Sequence, residues 1–89
     1  MKQIYKYDLK SVGEQVISMP KGAVIISAKI TRNLPVVYAI VDINEKQMEG
    51  RLFNVFATGG DVNVNTSSWI YLDTVMTHND NLVWHIFYK

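Results

Sequence analysis

The stretch from Tyr71 to Tyr88 leaves little freedom in what this chain can fold into. Tyr71-Leu72-Asp73-Thr74-Val75-Met76 and Leu82-Val83-Trp84-His85-Ile86-Phe87-Tyr88 are rich in β-branched and aromatic residues, with turn chemistry at His78-Asn79-Asp80-Asn81 between them, so the segment predicts a β-hairpin. In its second strand both alternating sets are bulky: Leu82, Trp84, Ile86 and Tyr88 on one side, Val83, His85 and Phe87 on the other. A strand with no water face needs cover on both sides, from a second sheet, a closed barrel or another copy of the chain.

The rest of the chain repeats the β pattern. Residues 2 to 9 alternate, with Gln3, Tyr5, Tyr7 and Leu9 against Ile4, Lys6 and Asp8. A turn over 10–14 leads to an extended segment at 15–19, and Pro20 marks an edge or bend before the tight turn Pro20-Lys21-Gly22. The strand at 23–30 is expected to place Val24, Ile26, Ala28 and Ile30 on one face and Ile25, Ser27 and Lys29 on the other. Thr31 to Pro35 turns the chain into the apolar strand 36–41, and the polar connection 43–50 has room for one helical turn. A strand at 51–57 ends at Thr58-Gly59-Gly60-Asp61. The polar run 62–68 is the best candidate for a mobile or ligand-facing loop. No apolar set recurs at helical spacing over three turns, so the pattern predicts six or seven strands and little helix.

Length and charge narrow the partners. A chain of 89 residues makes one small domain, and its 48% hydrophobic content is gathered into strands with few polar faces, so self-association is a natural way to hide the surplus. There are no cysteines, which removes disulfides and thiolate metal sites and suits a reducing cytoplasm. Neither a signal-peptide core nor a membrane-length apolar run is present. A net charge of +1 argues against gripping long nucleic acid, whereas a small anion needs only one Arg or Lys and a few backbone N–H groups.

The candidate chemistry has to be weighed against plainer readings. His85 carries the side chain most used in acid–base chemistry, yet it sits between Trp84 and Ile86 without a nucleophile motif, so a hydrogen-bonded core or interface histidine comes first and a ligand contact second. His78 lies in the expected turn, and the carboxylates Asp42, Asp61, Asp73 and Asp80 show neither metal-ligand spacing nor acid–base pairing. Thr58-Gly59-Gly60 ends a strand, as phosphate-binding turns do and as ordinary turns do more often. Arg51 either caps a strand in solvent or recognises a planar anion; Lys6, between Tyr5 and Tyr7, is an edge charge or a phosphate contact flanked by rings. Trp69 and Trp84 belong to the core or an interface unless they face a cleft, where they would stack on a base.

The opening Met1-Lys2-Gln3-Ile4-Tyr5-Lys6-Tyr7, Met19-Pro20-Lys21-Gly22-Ala23, Tyr38-Ala39-Ile40-Val41-Asp42, Ala57-Thr58-Gly59 and the ending Leu82-Val83-Trp84-His85-Ile86-Phe87 together resemble a family of small all-β proteins encoded by bacteriophages and prophages. In that family a His often follows the Thr-Gly pair, where this chain has Gly60. What the resemblance implies is immune evasion: an oligomer that sequesters a cyclic dinucleotide or related signal of a bacterial antiviral system, in the cytoplasm of the infected host. Such a protein needs burial of a small bis-phosphate, stacking for its bases and no catalytic group.

The combined expectation is an all-β fold, a compact antiparallel sandwich or small barrel of six to seven strands, homo-oligomeric, with the terminal hairpin at its centre and the pocket where copies meet. Its expected function is non-enzymatic sequestration of a nucleotide signal, with neither cofactor nor metal. Lys6, Arg51, Thr58 and Gly59 would lie near phosphate and Trp69 or Trp84 near a base, with Gly60 and His85 among the ligand contacts. The alternative is a phage interaction module that inhibits a host protein through an edge strand.

Overall fold

A computed structural model describes residues 1–77 and 82–89 as seven antiparallel strands and one 3₁₀ turn. The strands are β1 (Lys2–Asp8), β2 (Gly13–Pro20), β3 (Val24–Thr31), β4 (Leu34–Asp42), β5 (Met48–Ala57), β6 (Ile70–Met76) and β7 (Val83–Tyr88), with the 3₁₀ turn at Thr66–Ser68. They form a three-stranded sheet in the order β1-β4-β3 and a four-stranded sheet in the order β2-β5-β7-β6. The all-β expectation holds, and the two sheets are layered over one apolar core. On one side of the molecule β3 runs beside β6. None of the described helical residues forms a helix long and apolar enough to cross a membrane.

Strand alternation decides what enters that core. From the three-stranded sheet come Ile25, Ala28, Val37, Ala39 and Val41; from the four-stranded sheet come Met19, Phe53, Val55, Val75, Trp84 and Ile86, all buried in one cluster. Small side chains on β4 therefore face large ones on β5 and β7, which lets the layers interdigitate. Trp84 and Ile86 point inward, so His85 and Phe87 point to the outer face of the four-stranded sheet. The terminal hairpin is not central as a unit: β7 lies between β5 and β6, but β6 is an edge strand. Its turn, with His78 and Asp80, lies outside the described residues. At its near end the Thr77 N–H donates to the Leu82 carbonyl at 3.0 Å, and Thr77 Oγ1 accepts the Leu82 N–H at 3.2 Å.

Two local departures from the sequence expectation have clear causes. The β3–β4 register shifts between Ile25 and Ser27, a bulge that gives Ile26 no partner and inverts the parity beyond it. Ile25 and Ala28 therefore both face the core, while Val24 and Ile26 are exposed, which corrects the face expected for Val24, Ile26, Ala28 and Ile30. The expected turn over Thr31 to Pro35 shrinks to a two-residue hairpin: Arg32 and Asn33 have φ of 55° and 64°, and Thr31 pairs with Leu34. Positive φ at both central positions is the signature of a type I′ turn, whose twist matches the flanking strands.

The connection 43–47 forms no helical turn. Instead Asp42 organises it: its Oδ1 accepts the Asn44 N–H at 3.0 Å, and its carbonyl accepts the Glu45 N–H at 3.0 Å. The Asn44 hydrogen bond holds the Asp42 carboxyl below its ordinary value, aided by the amino group of Met1 at 3.6 Å. A depressed folded-state value contributes stability that is present above the unfolded-state value and lost as pH falls through the folded one. Titration of the side-chain carboxyl by NMR is expected to place Asp42 below the usual ~3.9, and Asn44→Pro, which removes the donor, should bring it back.

The β3–β4 turn yields a second expectation. Arg32 occupies a left-handed conformation that costs an ordinary L-residue on the order of 1 kcal/mol. Replacing Arg32-Asn33 by Asn-Gly is expected to raise the melting temperature by about 4–8 °C; an unchanged melt would show that the turn is not held as described.

Candidate functional site

The outer face of the four-stranded sheet carries a groove of about 350 Å³, within the range of roughly 300–1,000 Å³ common for small-molecule sites. Three elements build it. β5 supplies Phe56 and Ala57, β7 supplies His85 and Phe87, and β6 supplies Tyr71; the chain after β5 adds Thr58, Gly59, Gly60, Val62 and Thr66 as the remaining wall. The register explains the convergence, because Phe56 pairs with His85 and Tyr71 with Phe87, and directly opposed residues share a face. The Phe87 ring meets Phe56 edge-on at 5.8 Å and Tyr71 edge-on at 5.5 Å, geometry that aromatic quadrupoles favour.

The wall is pinned rather than loose. The Gly60 N–H donates to the Ala57 carbonyl at 2.9 Å, and the Thr58 N–H donates to the Val83 carbonyl at 3.0 Å. Gly59, at φ 86°, occupies the turn position that requires positive φ. Farther on, Asn65 Oδ1 accepts the Ser67 N–H at 3.1 Å and the Ser67 hydroxyl at 2.7 Å, capping the 3₁₀ turn. Trp69 then buries its ring and anchors the segment.

A chain of hydrogen bonds runs along the groove. Thr58 Oγ1 lies 2.7 Å from His85 Nε2, His85 Nδ1 lies 3.1 Å from Thr74 Oγ1, and Thr74 Oγ1 lies 2.6 Å from the Tyr71 hydroxyl. In a neutral imidazole one nitrogen donates and the other accepts. With the proton on Nε2, Tyr71 donates to Thr74, Thr74 donates to Nδ1, and the Thr58 hydroxyl hydrogen is free to point at a ligand. With the proton on Nδ1 the chain reverses, and the Tyr71 hydroxyl hydrogen becomes the free one. The groove can thus offer a donor at either end.

Thr58 and His85 have the reach of a nucleophile and its base. However, Nδ1 meets a hydroxyl instead of the carboxylate that would stabilise an imidazolium, and among the described residues no charged side chain lines the groove. The arrangement is suited to holding a flat, weakly polar group. Among the described residues, no three His, Asp or Glu side chains are grouped to hold a metal ion.

Of the residues singled out in the sequence, the structure brings Thr58, Gly59, Gly60 and His85 together here and disperses the others. Lys6 stands on the outer face of the opposite sheet, in a separate groove with Asp8, Thr31, Arg32, Leu34 and Val36. Trp84 is 5% exposed within the core, so it offers no face to a base. Trp69 is likewise buried, with Lys89 Nζ 4.6 Å above its ring. Arg51 neither stands free in solvent nor lines the groove: its Nη1 donates to the Ala23 carbonyl at 2.7 Å, its Nε donates to the Lys89 carbonyl at 3.0 Å, and its guanidinium lies 5.9 Å from the Tyr88 ring centre. It ties β5 to the turn before β3. The aromatic residues Phe56, Tyr71 and Phe87, and Thr74, were not singled out. Their signal was the alternation of Phe53, Val55 and Ala57 with Asn54 and Phe56, and of Trp84 and Ile86 with His85 and Phe87, but combining them requires the register across three strands.

The fold and groove define a class: a two-sheet, all-β protein with a neutral, aromatic groove walled by a loop. The match to the family described as Domain of unknown function (DUF7352) covers residues 1–89, and the chain belongs to that family. No curated protein and no solved structure matches it.

The position of Arg51 makes its loss a question of stability. Arg51→Ala removes two hydrogen bonds from a charged donor and leaves the Ala23 carbonyl without that partner, an expected cost of about 2 kcal/mol in denaturant unfolding. Arg51→Lys should recover only part of it, because one ammonium does not reproduce the fork.

Proposed function

We propose that this protein binds a small nucleotide signal of cyclic-dinucleotide type and withholds it without cleavage, the activity implied by its resemblance to phage-encoded immune-evasion proteins. The observation that carries the reading is the groove, where the Tyr71, Phe56 and Phe87 rings surround a hydrogen-bonding chain through His85. A nucleobase presents the matching chemistry, a π-face for stacking and an edge of donors and acceptors. Tyr71, half-exposed at the wall, is the stacking ring, and Thr58 and Tyr71 read the edge. Lys6 and Arg51 lie elsewhere, so the base gives the affinity and the phosphates extend from the mouth.

The free edge of β1 favours a second reading, an interaction module that docks by strand addition. Calorimetry against a panel of cyclic di- and trinucleotides separates the two. The sequestration reading expects binding to at least one member, intact ligand recovered on denaturation, and affinity weakened roughly tenfold to a hundredfold by Tyr71→Ala. His85→Ala should weaken it less. Silence across the panel, or recovery of a cleaved product, defeats the reading.

A further inference from the structure

The edges of the two sheets are not equally protected. β3 and β6 run beside one another, which screens that side of the molecule. At the other side β1 is an edge strand along its full length. Its residues Lys2 to Lys6 are exposed on both faces, with Ile4 60% and Tyr5 41% accessible. No bulge interrupts its pairing with β4, and it contains no proline. A regular, unprotected edge of this kind is a template for another strand.

Backbone parity shows which groups it offers. The Leu9 N–H donates to the Pro35 carbonyl, and the Met1 carbonyl accepts the Ile43 N–H, so odd-numbered residues of this segment direct their backbone groups at β4. In an antiparallel ladder the alternate residues direct theirs the other way. The N–H and C=O groups of Lys2, Ile4, Lys6 and Asp8 therefore point from the free edge.

We propose that β1 pairs antiparallel with β1 of a second copy about a two-fold axis at Tyr5, joining the two three-stranded sheets into one. Charge selects this register. Centring on Tyr5 sets Lys2 opposite Asp8 and Ile4 opposite Lys6, and it engages the free backbone groups of all four residues in each copy. Sliding toward the N-terminus, centred on Ile4, puts Lys2 opposite Lys6; sliding the other way, centred on Lys6, puts Lys6 opposite itself. Like charges directly opposed across strands are unfavourable, and opposite ones favourable. At the axis the two Tyr5 residues form a non-hydrogen-bonded pair, in which side chains approach closest. The other open edge, β2, has Glu14 as its single charge and ends in Pro20, so no register of β2 on itself gains opposite charges. This interface is separate from the groove and does not depend on what the groove holds.

The test is sedimentation equilibrium with charge-swap variants. The wild-type chain is expected at twice the single-chain mass at high micromolar concentration. Lys2→Asp should raise the dimer dissociation constant roughly tenfold, since the altered pair occurs twice across the axis, and Lys2→Asp combined with Asp8→Lys should restore it. Ile4→Pro, which deletes an N–H directed away from β4, should give a monomer with the wild-type circular dichroism. A monomeric wild type overturns the proposal, as does a dimer unaffected by Lys2→Asp or one the double swap fails to restore.

Discussion

The apposition of small residues on β4 and large ones on β5 and β7 holds the two layers together. Val37, Ala39 and Val41 leave room that Phe53, Trp84 and Ile86 fill, and the core of so short a chain depends on that fit. The outer faces follow from it. Once Trp84 and Ile86 are committed inward, His85 and Phe87 must face out, and they find cover from Phe56, Tyr71 and the loop after β5. The strand expected to need cover on both sides has the second sheet on its inner side and these residues of the same chain beside its outer one.

Much of this was readable from residue order, and what was not has physical reasons. Strand positions followed from alternation and turn chemistry, and Pro20 did mark an edge. The inward face of β3 departs from plain alternation because a bulge at Ile26 inverts parity, and nothing in Ala23 to Ile30 distinguishes a bulged strand from a regular one. Arg32-Asn33 is a weak turn signal, since Arg seldom adopts positive φ. The polar residues at 43–47 found their order in the Asp42 carboxylate and not in a helical turn.

The groove was legible in part. Thr58, Gly59, Gly60 and His85 stood out because their chemistry is unusual among apolar strands. Phe56, Tyr71 and Phe87 did not, because an aromatic residue in a strand looks the same whether it fills a core or walls a site. Arg51 and Trp84 show the converse: side chains suited to ligands serve here as a clamp between layers and as core. Pairing across β5, β7 and β6 made the difference, and pairing is a non-local property.

The interleaving on β7 has a consequence for how such a protein changes over time. Successive residues answer to different demands, Trp84 and Ile86 to cohesion of the layers, His85 and Phe87 to the lining of the groove. Substitutions at one set can reshape the groove while leaving the other set, and with it the scaffold, intact. The shape and chemistry of the outer face are therefore open to change through positions only two apart, without any rebuilding of the architecture beneath.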